Sequence, residues 1–473
     1  MTLTIGGKRK ERAYSEHKPK WQRFQSTLMV HSTQSAVSQQ KTKQKTTLHP
    51  YQRQYAHVYH QRLTALKPRC WQAVSEEEKD VVKVDRVLDL RENVRSVVVG
   101  TLVKEGGNGQ EVHPQSRCQA SQSLFIEDES GRANIDVENV HDFATGMVLG
   151  LLGAVGKHGH FQVERVFFPA LPPHPTTISA TTDDSKNKPP ALGNPHLLLI
   201  SGLHCGDPSL APAQRQMLLD YIRGSFGDNS GGGTISHVII AGGSTVLHDE
   251  HPTVALKELD GFCLQLGAMN VPVDILPGKD DPTTANWPQR PLHKSLLQYS
   301  DRKVPHLVSR VPNPYGAMHA NKYVLGTDGT NATDLARHLL KPAKEEKQSD
   351  DSTTKESKDD NTNEEESNEE PTMVPVSHLQ ALRRTLQCGH ICPTGPDSVP
   401  TMPHPETDPM VLPETPHLYF AGNCDEFATE VMTQNKTTCR LVCIPRFADS
   451  GKVVLVNLDT MEAKGVRVVD PGV

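Results

Sequence analysis

The sequence predicts two folded units of different class: a small closed β-barrel, then a larger α/β domain on a parallel sheet, with polar tracts around and within them. Three observations carry this reading. Five short strand patterns with mid-strand glycines fall between residues 96 and 168, and apolar runs alternate with helical periods from residue 197 onward. Hydrophobic content is 36% over 473 residues, against roughly 45–50% for an ordinary globular chain, so part of it is too polar to fold.

Residues 1–48 form the first such tract, a basic arm rich in Gln, Ser, Thr and Lys without a sustained apolar period. It is expected to be disordered, because it buries too little to offset ordering entropy. The net charge of −6 conceals its cationic character: residues 1–49 hold ten Lys or Arg against two Glu. A mildly acidic body argues against a main surface that grips nucleic acid, which needs clustered cations. The arm alone could grip phosphates, and Lys8, Arg9, Lys10 and Arg12 could serve nuclear import. No apolar run approaches the ~18–20 residues that span a bilayer, so a soluble intracellular chain with no membrane contact is expected.

A helical segment, residues 49–90, follows. Tyr51, Tyr55, Val58, Tyr59, Leu63 and Leu66 form one stripe of an amphipathic helix expected to pack on the barrel and to end at Pro68. The barrel, residues 91–171, is read from 96–103, 123–127, 133–137, 147–155 and 160–168, with turn signals at 129–131 and 156–159. Five short antiparallel strands bent at glycines suit the OB type. Residues 172–194 are Pro, Thr, Ser and Asp rich and read as a linker.

The second domain spans residues 195–473. Apolar runs at 197–200, 238–241 and 271–276 alternate with helices at 217–226 and 254–266, the signature of parallel strands covered on both faces. Further strands are expected near 323–325, 418–421, 440–444, 453–456 and 466–469. Residues 341–371 are a low-complexity acidic insertion; residues 341–370 carry twelve Asp or Glu against five Lys. It is expected to loop out, since closure entropy grows only with the logarithm of length.

Nine cysteines are scattered without a C-x-x-C pair, which fits a reducing compartment. Cys388 and Cys392 flank His390, but this C-x-H-x-C lacks a second half and reads as buried thiols rather than a metal site. The N-x-T sequences at Asn331 and Asn435 read as incidental.

Ligands of parallel sheets bind beyond the strands' carboxyl ends, which here read SGLHCGD at 201–207, GGSTV at 242–246, PGKDD at 277–281, CGHICP at 388–393 and GNCDEF at 422–427. At these residues the chain resembles the calcineurin-like metallophosphoesterases, whose strand ends read D-x-H, G-D, G-N-H-D, H and G-H-x-H. That resemblance implies an α/β sandwich fold and two metals held by seven side chains. Carried over, the first Asp becomes Gly202 and the next His is His204, while the bridging Asp becomes Gly243. In the third element Lys279 replaces the ligand Asn, Asp280 the acid-donating His, and Asp281 is kept. The isolated His matches His390, and the last two His ligands become Asn423 and Asp425. Glycine offers no donor atom, and an ammonium repels a dication. No catalytic residue, metal or cofactor is therefore expected, and the site reads as a degenerate former metal site.

A barrel followed by such a domain is the arrangement of the B-subunits of replicative DNA polymerases, and the chain most resembles the small subunits of DNA polymerase delta. The stretches that carry this are YAHVYHQRL (55–63), VVVGTLVKE (97–105), VPVDILPGKDDPT (271–283), PQRPLH (288–293), VPNPYGAMHANKYVLGTDGTN (311–331), GHICPTGPDS (389–398) and TDPMVLPETPHLYFAGN (407–423). The resemblance implies a nuclear, noncatalytic accessory subunit in DNA replication and repair synthesis. It would bind the cysteine-rich C-terminal domain of the catalytic subunit and a third subunit, and meet DNA mainly through the complex. Two alternatives stay open. One is a metal-dependent phosphoesterase, for instance with a single metal on His204, His390 and Asp425. The other is an independent single-stranded DNA binder using Phe125, Phe161, Phe167, Phe168 and Lys104.

Overall fold

The computed structural model describes residues 56–106, 122–175, 195–209, 212–225, 235–247, 252–342, 373–404, 406–434 and 437–468. The basic arm, most of the linker, nearly all of the acidic insertion, the start of the first helical stripe, Cys118 and Asn435 lie outside these residues.

Helix α1 (Ala56–Glu77) continues through Pro68 instead of ending there. A helix-interior proline costs about 3 kcal/mol. The apolar stripe beyond it offsets this, because Cys70, Ala73 and Val74 are buried on the barrel with Leu63 and Leu66. The barrel comprises β2 (Ser96–Gly106), β3 (Gln122–Glu127), β4 (Arg132–Asp136), β5 (Val148–Val155) and β6 (Phe161–Phe167), after a short β1 (Val82–Val84) that pairs parallel with β2. β2 pairs with both β3 and β5, β3 with β4, β4 with β6, and β6 with β5, so the ring closes and the OB architecture holds. Closure needs tight bends. At Gly153, beside a bulge between β5 and β6, a Cβ would lie 1.9 Å from the Gln162 carbonyl oxygen.

The α/β domain is a sandwich of two mixed sheets. Its elements are β7 (His196–Ile200), α2 (Pro212–Arg223), β8 (Ile235–Ala241), α3 (Pro252–Ala268), β9 (Val273–Leu276), α4 (Gln298–Lys303), β10 (Val308–Arg310), β11 (Tyr315–His319), β12 (Lys322–Thr327), α5 (Thr330–His338), β13 (Leu340–Pro342), β14 (Met373–Pro375), α6 (His378–Gln387), β15 (Leu418–Cys424), β16 (Ala428–Gln434), β17 (Thr437–Pro445), α7 (Phe447–Ser450), β18 (Lys452–Asn457) and β19 (Ala463–Arg467). The first sheet runs β10-β9-β8-β7-β18-β19 and the second β11-β12-β15-β17-β16, while β13 and β14 pair apart.

The expected parallel order holds for β7 to β10 and for β12, β15 and β17, but β18, β19, β11 and β16 are antiparallel. Short connections explain the difference. β11–β12, β16–β17 and β18–β19 are pairs of consecutive strands, each joined by too little chain for a parallel crossover. The last strand also begins before the expected 466–469, because β19 pairs with β18 from Ala463.

Inner faces meet through Leu197, Leu199, Ile239, Leu276, Val324, Phe420, Val442 and Ile444. Helices α2 and α3 cover the first sheet's outer face. On the second sheet's outer face, Tyr419 and Leu441 share one core with Leu335, Leu382 and Leu386, and that core continues into Leu102, Leu124, Ile126 and Met147 of the barrel.

Candidate functional site

A cavity of about 480 Å³ opens at the carboxyl ends of the strands. β8 delivers Gly243, β9 delivers Lys279 and Asp280, β12 delivers Asp328, and Asn423 comes from the end of β15; His204 and Arg446 complete the wall. The backbone is unusual here. His204 and Asn423 take φ of +45° and +49°, a left-handed region rare for side-chain-bearing residues and concentrated at functional sites. Gly202 and Gly243 take φ of +63° and +62°.

Neighbouring side chains crowd both glycines. A Cβ on Gly243 would lie 2.5 Å from Asn423 Oδ1, and one on Gly202 2.9 Å from Arg446 Cβ and Cγ. Asn423 is held by Nδ2 donating to the Asp328 carbonyl at 2.9 Å and by its own N–H on Ser201 Oγ at 2.6 Å.

The carboxylates around the cavity are committed inward or to solvent. Asp281 is buried and accepts from the N–H groups of Gly278, Ser244 and Thr245 and from Thr245 Oγ1, at 2.8–3.2 Å; burial nonetheless pushes its carboxyl up. Asp328 accepts from Asn313 Nδ2, the Lys279 N–H, and the N–H and Oγ1 of Thr330, and burial pushes it up too. Asp280 is exposed, as is Lys279. Asp334 accepts from Thr394 and Ser398 hydroxyls at 2.5 Å. Lys279, Arg337 and Arg446 all line the cavity. Glycine, amide and cations suit an anion or nothing, not two dications.

Two predicted members do not join the others. His390 is 1% exposed and lies at the junction with α1, where Nε2 meets Asp408 Oδ2 at 2.9 Å and Nδ1 accepts from the Cys392 N–H at 3.1 Å. The segment carrying it, after α6, returns to the barrel instead of to the strand ends. Asp425 is 73% exposed and paired with Arg446 at 3.3 Å and His378 at 3.5 Å. A single metal on His204, His390 and Asp425 is therefore incompatible with this geometry. Cys388 and Cys392 are buried thiols pushed up to about 12 by burial, and the eight described cysteines are free. Asn331 is fully buried, donating to the Ile391 carbonyl and Tyr419 Oη, which leaves no room for a glycan.

Sequence reasoning missed Asp328, Arg337 and Arg446. The strand-end rule would have found two of them, because Asp328 follows β12 and Arg446 follows β17 directly.

The aromatic residues considered for DNA stacking are engaged. Phe161 and Phe167 are buried, Phe125 lies under the Arg132 guanidinium at 3.9 Å, and Phe168 lies under Arg384 at 5.0 Å. Lys104 is not a groove cation: it is 6% exposed, with Nζ on the Phe143 carbonyl at 3.1 Å.

The family model for the B-subunits of DNA polymerases alpha and epsilon matches residues 197–429, and that for the DNA polymerase delta subunit OB-fold domain matches residues 54–166. The chain is 29% identical to the DNA polymerase delta small subunit of Oryza sativa, covering 86% of this chain and 91% of that one. The chain belongs to the DNA polymerase delta small-subunit family. Other relatives in it are DNA polymerase delta subunit 2 of Drosophila melanogaster, 28% identical over 89% of this chain and 94% of that one, and the small subunit of Saccharomyces cerevisiae, 26% identical over 88% and 90%. Among solved structures, an archaeal phosphodiesterase is similar at 8% identity and a TM-score of 0.28, over 57% of this chain and 98% of that one, a likeness too slight to bear on the site.

Proposed function

We propose that this family member is a noncatalytic scaffold of a DNA polymerase delta assembly. It holds the cysteine-rich C-terminal domain of the catalytic subunit and a third subunit, acts in the nucleus in replication and repair synthesis, and meets DNA mainly through the complex. The observation that carries the reading is the strand-end cavity. Gly202 and Gly243 offer no donor atom, and a side chain at either would run into Arg446 or Asn423, so a bridging carboxylate has no place there. Without a bridge, no metal-bound hydroxide is generated there and a phosphodiester is not activated.

A scaffold needs a rigid body rather than ionisable clusters, and the core running from barrel to sandwich supports that role. The engaged state of Phe125, Phe168 and Lys104 supports DNA contact through partners. The deciding experiment is co-expression of the full chain with candidate catalytic and third subunits. One stoichiometric assembly by size exclusion, with no hydrolysis of a generic phosphodiester in Mn²⁺, is expected. Hydrolysis abolished by His204→Ala would overturn the reading.

A further inference from the structure

At the opposite edge of the sandwich, where β8 and β9 begin, a second cluster of chemistry-bearing side chains converges from three strands. His237 on β8, Asp274 on β9 and His319 on β11 each place a ligand atom within 4.8 Å of the others. Alternation along β11 puts Tyr315 and His319 on the same face. Tyr315 Oη donates to Asp274 Oδ2 at 2.7 Å and lies 2.6 Å from His319 Nε2. The two imidazole rings meet edge to face, with centroids 4.7 Å apart.

The geometry of His237 separates this cluster from an ordinary hydrogen-bond network. Its Nε2 lies 3.0 Å from Asp274 Oδ2, yet that buried nitrogen makes no aligned hydrogen bond. Two donor atoms side by side that do not aim at each other are what neighbouring ligands of one ion look like, since each lone pair points at the metal. Around zinc at ~2.0–2.2 Å, adjacent ligand atoms lie about 3.4 Å apart. The separations here, within 4.8 Å, thus need closure of up to about 1.4 Å, which imidazole rotation supplies. Asp274 is 6% exposed, whereas His237 and His319 are half-buried, so a solvent ligand can reach a fourth position.

We propose that His237, Asp274 and His319 bind one zinc ion, with Tyr315 orienting the Asp274 carboxylate. Two imidazoles and one carboxylate suit zinc better than the oxygen-seeking magnesium or calcium. The ion would tie the first sheet to the edge strand of the second, a structural role independent of the strand-end cavity and of the scaffold reading.

The test uses the untagged full chain, stripped with chelator and titrated with Co²⁺ as a spectroscopic probe, then with competing Zn²⁺. One ion per chain with visible d–d bands, displaced by Zn²⁺, is expected. His237→Gln and His319→Gln should each abolish the bands, and Tyr315→Phe should weaken binding about 10-fold, as loss of an outer partner does. His204→Gln and Asp425→Asn at the other end should leave binding unchanged. Melting in chelator, matched between wild type and the Gln variants, shows that the fold survives; if either variant fails to fold, anomalous scattering at the zinc edge from wild-type crystals replaces it. Bands that persist in both variants, no uptake by wild type at micromolar metal, or anomalous signal away from these residues would show a hydrogen-bonded network only and overturn the proposal.

Discussion

Replacing Arg62 with Met tests what holds barrel and sandwich together. Arg62 is 1% exposed, and its guanidinium donates from Nε to Asp408 Oδ2 at 2.9 Å, from Nη1 to the carbonyls of Gly146 at 3.0 Å and Pro393 at 2.7 Å, and from Nη2 to that of Gly395 at 2.6 Å. Three chain segments thus meet on one side chain of α1. Methionine keeps much of the volume and removes every donor. The Asp408 carboxylate, left with His390 and the Met410 N–H but without its fixed cation, dominates the loss, because breaking a buried pair by removing one partner costs about 3–5 kcal/mol. The three carbonyls would add about 1–3 kcal/mol each if dry, but the space left by the guanidinium admits water, so a total near 4 kcal/mol is expected. Urea unfolding of the full chain, followed by far-UV circular dichroism, measures it. Asp408→Asn in the Arg62→Met background should recover part of the loss, with a coupling energy of about 2 kcal/mol. A loss below about 1 kcal/mol, or no coupling, would refute the assignment of Arg62 as the junction's anchor.

His390 should make stability pH-dependent: burial, and then the Arg62 charge, push its imidazole down to about 4, so the unfolded chain binds the extra proton between pH ~6.5 and ~4 and stability falls as pH drops through that window. In His390→Gln the slope at pH 5, read from urea unfolding at several pH values, should shrink by up to about 1.4 kcal/mol per pH unit, while His417, pushed to about 4 mainly by burial, keeps its own share. Gly243→Asp should not restore metal binding and should destabilise by about 2 kcal/mol or more, since the new side chain meets left-handed backbone and Asn423; isothermal titration with Mn²⁺ and thermal melting check both. Deleting residues 1–49 should remove most of any single-stranded DNA affinity measured by fluorescence anisotropy; unchanged tight binding would place the grip in the barrel.

Much of the fold was legible because its signals are local. The β-branched run at 97–99 and the apolar runs at 197–200 and 238–241 announce buried strands without reference to anything distant. Pro68 misled for the opposite reason: the local rule ends the helix, and only packing of Cys70 and Val74 on the barrel continues it. The site divided the same way. His204, Gly243, Lys279 and Asn423 sit at strand ends and line one cavity, with Gly202 against Gly243, and position alone brings them together. His390 was read as a strand-end residue too, yet it follows α6 and its destination depends on Arg62, 328 positions earlier, and on Asp408. No spacing rule encodes a partner at that range. His237, Asp274 and His319 were invisible for a related reason, since three strands spanning both sheets supply one residue each.

The unbroken apolar interior shared by the two folded units has a practical corollary for anyone dissecting the molecule. The proline-rich stretch between them invites a cut, but Pro172 and Pro173 already accept hydrogen bonds from Thr415, and α1 rests on both neighbours at once. Severed there, each half would present a raw greasy surface to solvent, so neither is a faithful surrogate for the whole, and the angle between the faces offered to partners is set once, at folding.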